Sequence, residues 1–397
     1  MWQQFKNYYH LLQAFFAAVY FGFPSQKIKV IGVTGTDGKT TTVNLIYHIL
    51  KSTHINVSMV SSVGAKIGKY DYDTGLHVST PSPWHVQKYL KKAVDTGSKY
   101  FVIEATSHGL DQNRLAFVDF EIGILTNITH EHLDYHKNWK QYALSKLILL
   151  ENSKLKIINL DDNSFKFVRN KIGGEILTYS KEKKADINTK NFHILLNIDG
   201  HYNLSNALAA CAVAASIGVP KQQILKVIST FKGVKGRFEK IDIGQKFKVF
   251  IDFAHTPNGL ENVLTSLKSK LKKGGRLIAV FGSAGARDTL KRATMGKVAS
   301  KIADVIILTS EDPRGEDPQK ICQEIAQGVR GKVLNKNYHI IVDRRHAIEF
   351  AINMAKDDDI IGLFGKGHER SINIKGEEYP WDEFKVASQA LKKRLKV

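Results

Sequence analysis

The sequence is poor in cysteine. Only Cys211 and Cys322 occur among the 397 residues, and they are far apart and outside any metal-ligand spacing. Disulfide-stapled scaffolds and structural zinc sites need several cysteines at close spacings, so the sequence excludes both classes. Isolated cysteines are typical of a protein from a reducing compartment, and we therefore expect a cytoplasmic location.

The sequence also lacks a hydrophobic run long enough to cross a bilayer. Residues 11–23 (LLQAFFAAVYFGF) are apolar, but a membrane-spanning helix needs ~20 such residues. No small-residue cleavage site follows, so a secretory signal peptide is not indicated. We expect no integral membrane span.

Apolar side chains of the N-terminal segment recur at helical spacing. The members of this stripe are Trp2, Phe5, Tyr9, Leu12, Phe16 and Val19. Spacings of three and four residues place side chains on one face of a helix. The pattern predicts an aromatic, amphipathic helix within residues 1–26 that packs on the body of the protein. Contact with a partner or a membrane is the alternative.

Acidic residues are too few to balance the basic ones, and the formal net charge is +20. Such a charge often indicates a nucleic acid or an anionic membrane as partner. The lysines are spread along the whole chain, however, and no helix-turn-helix, zinc-finger or RNA-binding motif is present. We therefore expect no nucleic acid partner, and polyanionic ligands such as nucleotides and phosphorylated sugars.

Buried strands alternate with amphipathic helices along the rest of the chain, without internal repeats. This alternation predicts an α/β fold with mostly parallel sheets. A break near Gly236 separates two α/β series. We therefore expect a central P-loop ATPase domain over residues 27–235 and a Rossmann-like α/β domain over residues 236–397. The polar stretch 181–199 predicts hairpins at a sheet edge.

A glycine-rich turn joins the first buried strand to a helix at residues 32–42 (GVTGTDGKTTT). Such a turn directs backbone N–H groups towards phosphate oxygens, and the helix N-terminus adds its dipole. Lys39 supplies a point charge, and Thr40 stands where a hydroxyl can bind Mg²⁺. Val33 occupies a position that the strict phosphate-loop pattern gives to glycine. The strand–turn–helix context nevertheless favours nucleotide binding over a plain turn.

The form TGTDGKTT resembles the phosphate loop of the Mur ligases and of their folylpolyglutamate synthase and cyanophycin synthetase relatives. Asp37 stands where that family more often has asparagine, which adds a negative charge near the phosphates. The resemblance implies ATP as a substrate. The residues that it assigns to ATP are Thr34, Gly35, Thr36, Asp37, Gly38, Lys39, Thr40, Thr41, Asn127, Asn203, Asn206, Arg237, Asp252 and His255.

Further polar residues follow two other predicted strands. Glu104 and His108 lie in EATSHG, His132 lies in TNITHEHLDYH, and the next helix carries Lys146. A glutamate and a histidine at adjacent strand ends could hold Mg²⁺ between ATP and a carboxylate. Taken singly, a buried histidine is more often structural and a helical lysine is usually solvated.

The resemblance extends to these segments and gives them roles. In the Mur ligases the corresponding glutamate and histidine bind magnesium, and the lysine is carbamylated by CO₂ to form an anionic group. These catalytic and metal-binding roles would fall on Lys39, Thr40, Glu104, His132 and Lys146. The acceptor would contact Thr80, Pro81, Ser107 and His108.

The C-terminal segments resemble the MurE-type members of the family. FGSAGARDTLKR contains Arg287, TSEDPRGEDP contains Asp312 and Arg314, and FGKGHER contains Gly365 and Glu369. All five are implied to bind substrate. In the meso-diaminopimelate enzymes an arginine at the position of Arg314 binds the distal carboxylate of the amino acid, as a guanidinium does well. Asp312 replaces an asparagine and would favour a cationic side chain, so L-lysine is the alternative.

The resemblance implies an ATP-dependent ligase of peptidoglycan biosynthesis. Such an enzyme activates the UDP-linked muramoyl dipeptide as an acyl phosphate and adds a diamino acid, with ATP and Mg²⁺ as cofactors. MurE-type enzymes usually carry an N-terminal uridine-binding domain, and here only residues 1–26 precede the first strand. This difference leaves open a related ligase with another acceptor, or an ATP-binding subunit that depends on a partner.

Overall fold

The chain forms two compact units in the computed structural model, which describes residues 2–74, 79–129 and 131–396, without the side chains of residues 2, 4 and 133. The first unit comprises Met1–Ile198 and Tyr202–Lys232, and the second comprises Asp199–His201 and Gly233–Val397. Each unit has its own sheet and its own hydrophobic core.

The first unit alternates strands and helices. Its strands are β1 (Lys29–Thr34), β2 (Val57–Ser61), β3 (Gly64–Ile67), β4 (Tyr70–Tyr72), β5 (Tyr100–Glu104), β6 (Phe120–Leu125), β7 (Ser153–Asn159), β8 (Glu175–Ser180) and β9 (Ile187–Asn188). Its helices are α1 (Trp2–Tyr20), α2 (Lys39–Ser52), α3 (Pro83–Asp95), α4 (Ser107–Asp111), α5 (Leu133–His136), α6 (Trp139–Glu151), α7 (Phe165–Arg169), α8 (Tyr202–Ser216) and α9 (Lys221–Ile228). A 3₁₀ turn, Pro24–Lys27, links α1 to β1.

The sheet of this unit has the strand order β4-β3-β2-β5-β1-β6-β7-β8-β9. From β2 to β9 neighbouring strands are parallel, and β3 and β4 form an antiparallel extension. The central strands are nearly continuous runs of buried residues, as expected where helices cover both faces of a parallel sheet. The predicted α/β fold with mostly parallel strands is confirmed. The order places the carboxyl ends of β5, β1 and β6 side by side.

Two predictions for this unit need correction. Residues 181–199 contain the short strand β9, which pairs parallel with β8, and no hairpin occurs in this fully described stretch. Asparagine side chains explain the difference: Asn191 donates to the carbonyl of Asp186 and accepts from the backbone N–H of Asn188, which fixes turns instead of strands.

The helix α1 forms as predicted, but the opposite face packs on the body. Ala14, Ala17 and Ala18 are fully buried, whereas Phe5 and Phe16 of the predicted stripe are exposed. Trp2 belongs to that stripe, and its side chain lies outside the described part of the structure. No helix in the described ranges is both long and apolar enough to span a bilayer.

The second unit is a smaller α/β layer structure. Its strands are β10 (Glu239–Ile241), β11 (Lys248–Asp252), β12 (Leu277–Phe281), β13 (Val305–Leu308), β14 (Tyr338–Ile340), β15 (Ile360–Phe364), β16 (Ser371–Ile374) and β17 (Glu377–Pro380). Its helices are α10 (Pro257–Lys268), α11 (Lys291–Ile302), α12 (Pro318–Ala326), α13 (Arg344–Met354) and α14 (Glu383–Leu395). The sheet order is β10-β11-β15-β12-β13-β14, parallel except for β10, and β16 and β17 form a separate hairpin.

Candidate active site

The phosphate loop, residues 35–38, connects β1 to α2 between the ends of β5 and β6. Gly35 and Gly38 have φ values of 148° and 86°, which are left-handed conformations that favour glycine. A Cβ atom at Gly35 would lie 1.8 Å from Oγ1 of Thr126, so a side chain there would collide with the segment that follows β6. The loop therefore needs glycine for both its backbone shape and its close packing.

Asn127 fixes the curvature of the phosphate loop. Its Oδ1 accepts hydrogen bonds from the backbone N–H groups of Thr36 at 3.2 Å and Asp37 at 2.9 Å, and its Nδ2 donates to the carbonyl of Asp37. Thr126 donates to the same carbonyl over 2.7 Å. The structure thus places Asn127, predicted as an ATP-binding residue, as a brace of the loop backbone.

An oxygen-rich cluster lies at the end of β5. Oε2 of Glu104 accepts hydrogen bonds from Oγ1 of Thr40 at 3.0 Å, from Oγ of Ser62 at 2.8 Å and from the backbone N–H of Ser62 at 3.0 Å. Glu104 and Thr40 were both predicted to bind the metal, whereas Ser62 was missed. Ser62 follows β2, and the sequence does not reveal that β2 lies next to β5.

Lys146 is fully buried on α6, and its amine reaches the phosphate loop. Nζ donates to the carbonyl oxygen of Gly35 over 2.7 Å and lies 4.3 Å from the ring centroid of Tyr142. Burial, together with the nearby positive charge of Lys39, holds the pKa of the Lys146 amine well below its ordinary value. Lys39 itself donates to the carbonyl oxygens of Gly35 and Thr36. The two predicted lysines therefore converge on one loop.

Histidine rings from α4, α5 and the residue before α5 cluster together. The centroid of His108 lies 4.7 Å from that of His132 and 4.3 Å from that of Tyr135. His136 completes the cluster, and burial lowers its pKa to about 4, so its ring is neutral at physiological pH. His108, predicted to contact the acceptor, and His132, predicted to bind Mg²⁺, therefore lie next to each other. Among the described residues, no group of three or more His, Cys, Asp or Glu side chains has a metal-binding arrangement.

The predicted acceptor residues lie where β5 ends. Oγ1 of Thr80 donates to the carbonyl of Glu104 over 3.0 Å and accepts from the backbone N–H of Thr106. Pro81 and Ser107 are buried next to this junction. Thr80 therefore fixes the backbone that carries Glu104 and begins α4.

Helix α8 faces α2 and carries two predicted ATP-binding residues. Nδ2 of Asn206 donates to Oδ1 of Asn203 over 3.0 Å, and both side chains are buried. A Cβ atom on Gly38 would lie 2.3 Å from Oδ1 of Asn206, so this side chain packs directly on the phosphate loop. Asn203 is the second residue of α8.

A separate group of predicted residues lies at the start of the second unit. The guanidinium of Arg237 stacks 4.3 Å over the ring of Phe253. Asp252 ends β11 and accepts from the backbone N–H groups of Phe238 and Ala254, each at 2.7 Å. Burial lowers the pKa of His255 to about 3, and its ring lies 4.6 Å from that of Phe253 at a tilt of 57°. The three predicted residues Arg237, Asp252 and His255 therefore lie close together, around the end of β11 and Phe253.

The segment EDPR, residues 311–314, packs against the segment GKGHE, residues 365–369. Oδ1 of Asp312 accepts from Nζ of Lys366 at 2.8 Å and from the backbone N–H of Asn373 at 3.0 Å. Lys366 also donates to Glu369 over 2.6 Å. Gly365, with φ of 102°, leaves room for the Glu311 side chain. The structure therefore brings together Asp312, Gly365 and Glu369, three of the residues predicted to bind substrate.

Arg314 lies at the rim of this group. Its φ of 53° is left-handed, and its backbone N–H donates to the carbonyl of Asn373 over 2.9 Å. The side chain is partly exposed, and no described residue makes a hydrogen bond or ion pair with its guanidinium. Arg287, also predicted to bind substrate, is exposed in the loop that follows β12.

Glu311 is a buried carboxyl group that the sequence did not single out. Burial is the main cause that raises its pKa to about 7, and the charge of Lys291 opposes that shift. Oε2 of Glu311 has no hydrogen-bond partner among the described residues. Glu311 precedes Asp312, a predicted substrate-binding residue, and this position was the one hint of its importance in the sequence. The sequence gives no sign that an acidic side chain in a loop is buried.

Comparison with known proteins identifies the family. The Mur ligase middle domain matches residues 33–214, and the Mur ligase glutamate ligase domain matches residues 236–367. A relative from Aquifex aeolicus, a UDP-N-acetylmuramoyl-L-alanyl-D-glutamate–2,6-diaminopimelate ligase, is 39% identical over 94% of this chain and 79% of its own length. The enzyme of the same name from Clostridium botulinum is 36% identical over 96% of this chain and 81% of its own.

A solved structure of a ligase of this name agrees. It superposes with a TM-score of 0.61 at 30% identity and covers 93% of this chain and 79% of its own. The chain therefore belongs to the Mur ligase family. It is an ATP-dependent, ADP-forming acid–amino-acid ligase.

Proposed function

We propose that this enzyme adds meso-diaminopimelate to UDP-N-acetylmuramoyl-L-alanyl-D-glutamate in peptidoglycan biosynthesis, in the cytoplasm. The relatives that carry this name cover nearly the whole chain. The observation that carries the choice of amino acid is Arg314 of EDPR, whose guanidinium makes no hydrogen bond or ion pair with a described residue. A guanidinium forms a bidentate pair with a carboxylate, and diaminopimelate offers a distal carboxylate that lysine lacks.

The charge of Asp312 does not favour lysine in this structure. Its carboxylate already accepts from the buried amine of Lys366 and from a backbone N–H. An ion pair neutralises the negative charge that would otherwise attract the side-chain ammonium of lysine. L-Lysine is therefore the weaker candidate.

The residues of the first unit suit phosphoryl transfer from ATP to a carboxylate. The phosphate loop and the N-terminus of α2 would bind the phosphate oxygens, and Lys39 would balance the charge that develops during transfer. Transfer makes the acceptor carboxylate an acyl phosphate and releases ADP. Attack by the amine then forms the amide and expels phosphate, because phosphate is a good leaving group and oxide is not.

The donor set at Glu104 fits Mg²⁺. Carboxylate and hydroxyl oxygens are the hard ligands that this ion prefers, and Glu104, Thr40 and Ser62 supply them within hydrogen-bond distance of one another. His132 is the further predicted ligand, next to His108. When bound, Mg²⁺ would neutralise negative charge on the transferring phosphoryl group.

Lys146 is suited to carbamylation. Only the neutral form of an amine reacts with CO₂, and burial shifts the Lys146 amine towards that form. The amine nitrogen bonds to the carbon of CO₂ and gives up a proton, so a neutral amine becomes an anion at the end of a long side chain. We propose that this carbamate helps to hold the metal.

The proposal is tested by measuring phosphate release with purified enzyme, ATP, Mg²⁺ and the muramoyl dipeptide nucleotide. We expect fast release when diaminopimelate is added, much slower release with L-lysine, and no release above background without an amino acid. The same assay with a folyl acceptor and glutamate is the control for a different acceptor class. Faster turnover with lysine, or with the folyl acceptor, would refute the assignment.

A further inference from the structure

Helix α1 presents an aromatic stripe to solvent. Its exposed members, with exposed fractions between 40% for Leu12 and 72% for Tyr20, are Phe5, Tyr8, Tyr9, Leu12, Phe15, Phe16, Val19 and Tyr20. At about 100° per residue, they fall within an arc of about 140°. Isolated exposed apolar residues are common on protein surfaces, but a continuous stripe of this kind marks an interaction site.

The other face of α1 is already occupied. Ala14, Ala17 and Ala18 are fully buried, and α1 packs along α3. Nearer the N-terminus, Gln3 donates to the hydroxyl of Tyr135 over 2.6 Å, and Asn7 donates to the carbonyl of Asp111 over 2.9 Å. These contacts fix the orientation of the helix. The stripe is therefore the face of α1 that the contacts within the first unit leave exposed.

Neighbouring elements extend the stripe into a wider surface. The ring of Trp84, at the start of α3, lies 5.0 Å from that of Tyr20. The ring of Phe117 lies 5.6 Å from that of Phe15. Both Trp84 and Phe117 are exposed. We call these two residues together with the eight of the stripe the aromatic patch.

The chain around the aromatic patch is basic. Residues 1–36 contain no aspartate or glutamate, whereas Lys6, Lys27 and Lys29 lie among them. Helix α3 adds Lys88, Lys91 and Lys92, and its one acidic residue, Asp95, is at its last position. Local ion pairs join Lys29 to Glu121 and Lys91 to Asp95, and Asp119 is an exposed acid near Phe117. The surroundings still carry more positive than negative charge, as does the chain as a whole at +20.

We propose that the aromatic patch docks this protein on the surface of an anionic phospholipid bilayer. Tyrosine, tryptophan and phenylalanine side chains favour the boundary between headgroups and acyl chains. Lysines around them are attracted to anionic headgroups. A second copy of the chain fits less well, because face-to-face pairing of two patches would bring two basic surrounds together. The contact is peripheral, with α1 lying along the surface.

The test is cosedimentation of the full-length protein with vesicles. One set of vesicles contains phosphatidylglycerol and phosphatidylcholine, and the other contains phosphatidylcholine alone. We expect binding to the anionic vesicles that weakens in 0.5 M salt, because salt screens exposed charges, and little binding to the neutral ones. Equal binding to both vesicle types would overturn the charge argument.

Two variants locate the contact. The patch variant combines Phe5→Ser, Tyr9→Ser and Phe16→Ser. The control combines Leu195→Ser, Val333→Ser and Leu334→Ser, which are exposed elsewhere. We expect the patch variant to bind anionic vesicles at least about 10-fold more weakly and the control to bind as the wild type does. Both should keep the wild-type thermal midpoint and rate of phosphate release in the absence of vesicles.

A charge variant keeps the proposal testable if the patch variant misfolds. Lys27→Glu with Lys88→Glu leaves the aromatic side chains in place and should weaken only the binding to anionic vesicles. Vesicle binding that is unchanged in both the patch and the charge variants would refute the proposal. So would light scattering that shows a dimer lost in the patch variant, without vesicle binding by the wild type, since a second copy would then be the occupant.

Discussion

The side-chain amine of Lys146 donates a hydrogen bond to the backbone carbonyl oxygen of Gly35, 2.7 Å away. This contact ties α6 to the phosphate loop, and it lies in a buried environment that lowers the pKa of the amine. A buried, neutral lysine amine of this kind can react with CO₂ and become a negatively charged carbamate. The catalytic state of the enzyme would then depend on dissolved CO₂.

Replacement of Lys146 tests this role. We expect Lys146→Ala to lower kcat roughly 10²- to 10³-fold, as the loss of a charged group at a phosphoryl-transfer site does. Lys146→Arg should lower kcat by the same factor, because a guanidinium keeps its charge and does not form a carbamate. Lys156→Ala, which changes another buried lysine of the same unit, serves as the control. Removal of bicarbonate should slow the wild type; a rate independent of bicarbonate would contradict carbamylation.

Ser62 gives a test of the oxygen cluster at Glu104. Ser62→Ala removes the hydroxyl that donates to Oε2 of Glu104. We expect the Mg²⁺ concentration for half-maximal activity to rise roughly 10- to 100-fold, because partners that orient a metal ligand affect metal binding on this scale. Ser58→Ala, on β2 just before Ser62, removes a buried hydroxyl that contacts Ser98 instead. If both variants respond alike to Mg²⁺, the cluster is only structural.

Arg314 decides the choice of amino acid under the proposed function. Arg314→Lys keeps the charge but loses the bidentate geometry. We expect kcat/KM for diaminopimelate to fall about 30- to 150-fold, equivalent to about 2–3 kcal/mol for a hydrogen-bonded charged pair. Turnover of L-lysine should change little. Arg345→Lys, a stacked arginine on α13, is the matched control. An equal loss with both amino acids would show that Arg314 does not read the distal carboxylate.

Glu311 predicts a pH dependence of stability. Its pKa is raised from 4.5 to about 7, so the folded state retains a proton that the unfolded state releases. The stability associated with this proton is present below pH 4.5 and is lost as the pH rises through 7. Glu311→Gln should therefore be more stable than the wild type at pH 8, by up to about 3 kcal/mol, with the difference vanishing near pH 4.5. Urea unfolding at both pH values measures it.

Glu261→Gln is the control for that measurement, since Glu261 is exposed on α10. It should shift neither the urea midpoint nor its pH dependence. A Glu311→Gln variant that is less stable than the wild type at pH 8 would show that the carboxylate has a favourable partner there.

The phosphate loop could be predicted from the sequence because its signal lies in residues that are close together in the chain. The run GTDGKTT specifies a tight turn and a helix start, and both follow from residues that are adjacent in the chain. Ser62 was not accessible in this way, because its contact with Glu104 depends on the order of strands in the sheet. Burial of Glu311 depends in the same manner on GKGHE packing over EDPR, which is a tertiary arrangement.

The sequence did not predict which face of α1 is buried. Periodicity correctly predicted a helix with one aromatic face, but it does not say which face meets the body. The alanine face packs on the body, because the small alanine side chains allow α1 to lie close to α3. Aromatic bulk was the stronger signal in the sequence, although the smaller side chains make the contact.

The bonds from Asn127, Thr126 and Lys146 to the phosphate loop have a thermodynamic consequence. The protein itself fixes the backbone that we propose binds the ATP phosphates, so nucleotide binding need not order a flexible segment. Ordering a loop on binding opposes association through lost conformational entropy. A loop that is already rigid avoids that loss, and more of the interaction energy with the phosphates remains for the moment of transfer, when their charge is redistributed.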